Sequence, residues 1–182
     1  LELHVWLNPY RAHHIAGGAI SDSSMVKKMP NAVVKLKEGY WWFDPSKKET
    51  LDHGVAVVMD IVKRYDIDGV HFDDYFYPYP SYNGNADFPD SASYAQYQAG
   101  GGHLTRGDWR RESVNQFIHR LYEHIKKEKK HVKFGLSPFG IWRPGHPESV
   151  AGFDQYDPLY ADAKLSLNKG WIEYFSPQLY WL

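Results

Sequence analysis

Asp66-Ile67-Asp68-Gly69-Val70-His71-Phe72-Asp73-Asp74-Tyr75-Phe76-Tyr77-Pro78-Tyr79-Pro80 changes character halfway along. Gly69 to Phe72 have the β-branched and aromatic makeup of a buried strand. Two carboxylates then stand side by side, and tyrosines and prolines follow at once. An acidic pair is costly to keep dry, so the strand has to end at a surface. In α/β folds ligands bind at the C-terminal ends of parallel strands, and the sequence predicts a site there.

Upstream, Leu51, Val55, Val58, Met59 and Val62 recur at helical intervals and predict an amphipathic helix to about Tyr65. Ser46-Lys47-Lys48-Glu49 has capping-box spacing and should open it. Leu3, Val5 and Leu7 alternate as in a strand, which Pro9 ends. The segment between, from His13 to Pro45, reads as long loop. Downstream, residues 78–107 read as an irregular insertion of a length typical of functional lids. Thr105 or Asp108 should cap the next helix, with Val114, Phe117, Ile118, Leu121 and Ile125 on its buried face. Val132 to Leu136 is the third strand. Asp157-Pro158 should open a further helix to about Asn168, with Gly170 as terminator. Trp171 to Trp181 holds the fourth strand.

Strands and helices therefore alternate, and each crossover is long enough to be right-handed, which predicts a parallel sheet. Long loops follow the strands and short ones precede them, as in a (β/α)8 TIM barrel with its site on the C-terminal face. Four strands are half of such a barrel. No internal repeat or linker interrupts residues 1–182, which read as part of a single barrel catalytic domain. The chain starts without Met in strand-like sequence and stops in another strand-like run, so it reads as a piece of a longer protein.

Composition narrows the chemistry. A formal net charge of -1 gives no electrostatic reason to bind nucleic acid or an anionic membrane. The basic run Lys126-Lys127-Glu128-Lys129-Lys130 falls at a helix C-terminus, where cations favour the dipole. The absence of cysteine excludes disulfides, cysteine zinc sites and thiol catalysis. No stretch is long and apolar enough to span a bilayer. There is no dinucleotide or phosphate loop and no Gly-x-Ser-x-Gly elbow, so no cofactor is expected. Compartment and oligomeric state stay open.

Strand alternation puts His71, Asp73 and Tyr75 on one side and Val70, Phe72 and Asp74 on the other. The apolar pair suits the helix-facing layer, so His71 and Asp73 should point into the barrel, with Asp73 at the rim. Asp74 either stays solvated or turns back into the mouth. An inward carboxylate at a rim serves as nucleophile, base or metal ligand; the plainer reading is a loop cap or an ion pair with Arg11, Arg110 or Arg111. Glycoside hydrolysis needs two carboxyl groups. A metal-dependent hydrolase would gather His4, His71, Asp73 and Asp74, but the first strand lacks a His-x-His pair and there is no His-Glu-x-x-His. Trp41, Trp42, Tyr77, Tyr79, Trp142, Tyr180 and Trp181 lie in loops or at strand exits and together fit a cleft for an extended glycan.

Five segments resemble the glycosyl-hydrolase-like 10 family: Asn8-Pro9-Tyr10-Arg11, Asp68 through Pro78, Asp108-Trp109-Arg110-Arg111, Ser137-Pro138-Phe139-Gly140-Ile141-Trp142, and Pro177-Gln178-Leu179-Tyr180-Trp181. They run the whole length in the right order. The resemblance implies a (β/α)8 barrel of which this chain holds roughly the third to sixth strands. It also implies a bacterial envelope protein (periplasmic, lipoprotein or secreted) that hydrolyses polysaccharide, with cell-wall glycan the leading candidate. Gly69-Val70-His71-Phe72-Asp73 is further similar to the fourth-strand motif of the α-amylase superfamily, with Asp73 in the nucleophile's place. It is similar too to the chitinase strand, except that Tyr75 stands where those enzymes carry the catalytic Glu. Asp73 is therefore expected as nucleophile or base and Asp74 as second carboxylate. Asn8, Arg11, His71, Tyr75, Tyr77, Trp142, Gln178, Tyr180 and Trp181 are expected to face the sugar. The general acid is Asp74, a loop residue such as Glu148 or Asp154, or a residue of the remaining strands. The alternatives are a non-catalytic carbohydrate-binding barrel and a metal-dependent TIM-barrel hydrolase.

Overall fold

The computed structural model describes residues 1–180. In chain order its first elements are β1 (His4–Leu7), β2 (Arg11–His13), α1 (Met25–Lys28), β3 (Val33–Lys35), β4 (Trp41–Phe43) and α2 (Lys48–Arg64). Then follow β5 (Gly69–Phe72), a 3-10 turn over Pro80–Asn83, α3 (Ser91–Ala99), α4 (Arg106–Glu128), β6 (Lys133–Leu136), α5 (Ala163–Lys169) and β7 (Tyr174–Phe175).

Strands β1, β5, β6 and β7 form one parallel sheet in that spatial order, which is also their order in the chain. Helices α2, α4 and α5 make the three crossovers. This α/β arrangement is that of a (β/α)8-barrel segment. The helix-facing layer is the apolar one. Val70 and Phe72 are wholly buried; Phe72 stacks on Phe117 of α4 at 5.8 Å and meets Phe134 of β6 edge-on at 5.3 Å. Val55, Val58, Met59 and Val62 of α2 and Val114, Ile118, Leu121 and Ile125 of α4 complete that core.

The segment from His13 to Pro45 is more ordered than a loop. Strands β2, β4 and β3 pair antiparallel, with Arg11 opposite Trp42 and Val33 opposite Phe43. Three-residue strands are too short to show a period, and tertiary contact decides them. Trp42 is fully buried and its indole N–H donates to the Phe76 carbonyl at 2.9 Å. The insertion over 78–107 contains α3, which has no buried residue; its Tyr94 and Tyr97 lie against Trp109 of α4.

Two helix starts also differ from the sequence reading. Helix α2 has Lys47 at its N-cap without a side-chain bond, because the Ser46 hydroxyl donates to Asp44 Oδ1 at 2.6 Å instead. Helix α5 starts after Asp162, not Asp157, and Asp162 Oδ1 accepts from the Leu165 amide. Asp157 is taken by Arg111 at 3.0 Å. At α4 the cap is Thr105, one of the two residues expected there: its Oγ1 accepts from the Asp108 amide at 3.2 Å and donates to the Asp108 carboxylate at 2.6 Å.

The insertion is pinned by Arg110, which is 2% exposed. It donates to Asp90, Asp87, Tyr160 Oη and the Phe88 carbonyl. Arg106 adds further bonds to Asp90 and Phe88. Two arginines thus hold the segment that forms one wall above the strand ends.

Candidate active-site cleft

One row of side chains crosses the sheet in register: Trp6, His71, Gly135 and Tyr174. They sit on the face away from the helices, in the layer that lines a barrel interior. Gly135 has a steric reason to be glycine. A Cβ there would lie 2.1 Å from the Tyr174 ring, so its absence lets that ring lie flat over β6. Tyr174 stacks against His71 with ring centroids 5.7 Å apart and planes 14° from parallel. Its hydroxyl lies 3.0 Å from His71 Nδ1 and 2.7 Å from His4 Nδ1.

Above this row, at the carboxyl ends of the strands, is a cleft of about 430 Å³ lined by Trp6, His71, Asp73, Asp74, Tyr75, Tyr79, Ser137, Gln178 and Tyr180. Asp73 is 8% exposed and accepts from the Tyr75 amide at 3.2 Å. Burial pushes its carboxyl up to about 6, with neighbouring Asp74 acting in the same direction. The Tyr75 amide, the Trp6 indole and Arg11 act against that shift without cancelling it. Asp74 turns back into the mouth. Its carboxylate accepts from the Tyr79 hydroxyl and from Gln178 Nε2 at 2.8 Å. Gln178 Nε2 also donates to the Ser137 carbonyl at 2.9 Å, so one amide links the exits of β5, β6 and β7. Burial, and then the bond to Asp74, raise the Tyr79 hydroxyl well above the usual phenol range. His71 is lowered by burial and by His4.

The expected residues divide by position. His71, Asp73, Asp74, Tyr75, Gln178 and Tyr180 line the cleft together. Arg11 borders it, its guanidinium 5.4 Å from the centre of the Tyr75 ring. Asn8 shapes the chain behind Arg11: its Oδ1 accepts from the Arg11 amide at 3.0 Å. Tyr77 lies behind Tyr79, buried edge-on against Phe88 and Tyr160 with Arg110 5.5 Å over its ring. Trp142 is held further out, its indole donating to Asp162 at 3.3 Å with Lys164 4.4 Å over its ring. Trp181 lies outside the described residues.

Trp6 is the residue that the sequence reading passed over. It is 67% exposed in the wall beside Asp73. The signal was present: Trp6 interrupts the apolar alternation Val5, Leu7 on the opposite side of β1, and the parity rule applied to β5 selects it equally. A second, apolar groove of about 610 Å³ joins the cleft through Gln178 and Tyr180 and is walled by Phe139, Ile141, Val150 and Phe153. The loop carboxylate Asp154 is occupied by the Tyr156 amide at 2.8 Å. Among the described residues, no three His, Asp or Glu side chains are gathered as a metal-holding group.

A parallel strand-helix sheet with an acidic, aromatic-walled cleft beyond its strand ends defines a (β/α)-barrel protein of the glycoside hydrolase-like kind. The chain belongs to the glycosyl hydrolase-like 10 family, whose model matches residues 4–182. It is 40% identical over its whole length to "Glycosyl hydrolase YngK" of Bacillus subtilis (strain 168), spanning 36% of that protein. It is 32% identical over its whole length to "Glycosyl hydrolase DigH" of Escherichia coli (strain K12), spanning 43% of it. The chain thus covers less than half the length of these relatives. Among solved structures, an α-galactosidase from Lactobacillus brevis superposes with a TM-score of 0.46 at 13% identity, over 77% of this chain and 17% of that one. No described helix is long and apolar enough to cross a membrane.

Proposed function

We propose that this chain forms the acid-bearing part of a glycoside hydrolase barrel that cleaves a polysaccharide, with bacterial cell-wall glycan as the first candidate. One observation carries the reading. Asp73 is a largely buried carboxyl, raised to about 6, at the floor of a cleft with Trp6, Tyr75, Tyr79 and Tyr180 around it. Flat aromatic faces suit pyranose rings, and a carboxyl tuned toward neutrality suits proton transfer or attack at a glycosidic carbon. At pH 7 Asp73 is mostly the charged form, which fits a nucleophile or base. Asp74 is the second carboxylate of the cleft. With its oxygens engaged by Tyr79 and Gln178, it aligns the wall beside Asp73. The protonated acid that assists the leaving group then comes from strands of the barrel outside this stretch.

Arg11, His71, Gln178 and Tyr180 contact the sugar in this reading, and Asn8 sets the position of Arg11. The test is reducing-end release from isolated cell-wall glycan strands by the full-length protein and its Asp73→Asn variant. Loss of release with retained glycan binding supports hydrolysis through Asp73. The engagement of both Asp74 oxygens by wall residues favours a second reading, a barrel that binds glycan without cleaving it. That reading requires the wild-type protein to bind the strands and release nothing.

A further inference from the structure

The interior row carries more information than its packing. Lys133 donates to Glu2 at 2.7 and 2.9 Å. Glu2 Oε2 lies 3.1 Å from His4 Nε2. His4 Nδ1 lies 2.7 Å from the Tyr174 hydroxyl, and that same hydroxyl lies 3.0 Å from His71 Nδ1. The Lys133 ammonium and then His4 hold Glu2 below the usual carboxylate range. Burial, and then Glu2, raise the Tyr174 phenol.

The proton directions follow from donor counting. An ionised carboxylate only accepts, so His4 presents Nε2–H to Glu2. At a pH where His4 is neutral its ring has one N–H, which leaves His4 Nδ1 bare to accept the Tyr174 O–H. The tyrosine has one proton, now spent, so its oxygen accepts from His71 and His71 carries its proton on Nδ1. Burial holds His71 toward its neutral form, so Nε2 is left with a free lone pair. His71 lines the cleft beside Asp73, and among the described residues Nε2 has no hydrogen-bond partner.

We infer that the chain Glu2, His4 and Tyr174 fixes the tautomer of His71, so that Nε2 stands in the cleft as an acceptor for a sugar hydroxyl next to Asp73. Glu2, His4 and Tyr174 are positioning residues in this device and do not touch the ligand. The setting selects a hydroxyl donor at that point of the ligand and disfavours a carboxylate or phosphate, which could only accept. The ligand side of the inference rests on the glycan reading above; the tautomer does not.

Two-bond proton–nitrogen spectra of the imidazoles in 15N-labelled full-length protein, recorded at about pH 8.5 so that the histidines are neutral, test it. The wild-type spectrum decides the tautomer without any ligand: His71 is expected to be protonated on Nδ1 and bare on Nε2, and a proton on Nε2 overturns the inference. In Tyr174→Phe, and in Gly135→Ala, which pushes the Tyr174 ring from its place, the His71 proton is expected to redistribute to Nε2. An unchanged tautomer in a folded variant also overturns it. Adding isolated cell-wall glycan strands to the Asp73→Asn protein is expected to move the His71 Nε2 signal. A static signal overturns the acceptor role, whereas a failure of hydrolysis in the wild-type protein counts against the proposed function and leaves the tautomer result standing.

Discussion

Asp73 is where function and stability oppose each other. Folding takes its carboxyl from the ordinary carboxylate range up to about 6, so the native state binds that proton more tightly than the unfolded chain does. The penalty for carrying the charge is complete above about pH 6 and vanishes below the unfolded value near pH 4. With the solvent that reaches the cleft taken into account, it amounts to ~1–2 kcal/mol. Asp73→Asn is therefore expected to raise stability at pH 7 by about that amount and to show no gain at pH 3.5, as read by urea melts at both pH values. For a reaction that needs the charged form, kcat/KM is expected to fall as pH drops through about 6. Trp6 makes a separate prediction. Trp6→Ala removes one aromatic face from the wall of the cleft. It should weaken glycan binding by about tenfold, since one lost aromatic face is worth ~1–2 kcal/mol. Calorimetric titration on the Asp73→Asn background reads this without turnover, and unchanged affinity would remove Trp6 from the binding surface.

At the scale of elements, two sets of polar contacts hold the walls in place. Gln178 ties Asp74 to the Ser137 carbonyl across three strand exits. Gln178→Leu removes a donor from both acceptors at the partly buried wall of the cleft, at a cost of ~0.5–1.5 kcal/mol. It is also expected to lower kcat, because the β5 and β7 exits lose their common fastener; denaturant melts and steady-state kinetics check the two effects. Arg110 holds the insertion. The Asp90 side chain, which it contacts, is 0% exposed, so Arg110→Met leaves that buried carboxylate to Arg106 alone and is expected to cost ~1–3 kcal/mol, measured by urea melts. The elements legible in the sequence are those with a long period. Helices α2 and α4 and strand β5 show theirs through Val55–Val62, Val114–Ile125 and Val70–Phe72. The small sheet of β2, β3 and β4 has strands of three residues, and its order comes from Trp42 reaching across to Phe76. Helix α3 has no apolar face to read, since nothing in it is buried.

For the whole molecule, the parallel order β1, β5, β6, β7 sets every side chain of the cleft on one face and at one end. Parity alone separated Asp73 from Asp74, because it needs only the two-residue repeat of one strand. It did not show that Asp74 turns back toward Gln178, 104 residues away in the chain. Nor did it show that Tyr77 is drawn behind Tyr79 by Arg110, since both depend on loops packing across the strand ends. The aromatic group read as a single rim is likewise divided by the insertion, with Trp142 held on Asp162 and Trp42 in the core. What unites the molecule is a carboxyl kept nearly dry beside flat, exposed rings. The most direct test of that claim is the rate at which the full-length protein releases reducing ends from cell-wall glycan strands, compared with its Asp73→Asn variant at equal glycan occupancy. A loss of about 10²-fold or more with binding retained is the expected result; an Asp73→Asn protein as active as the wild type would contradict it.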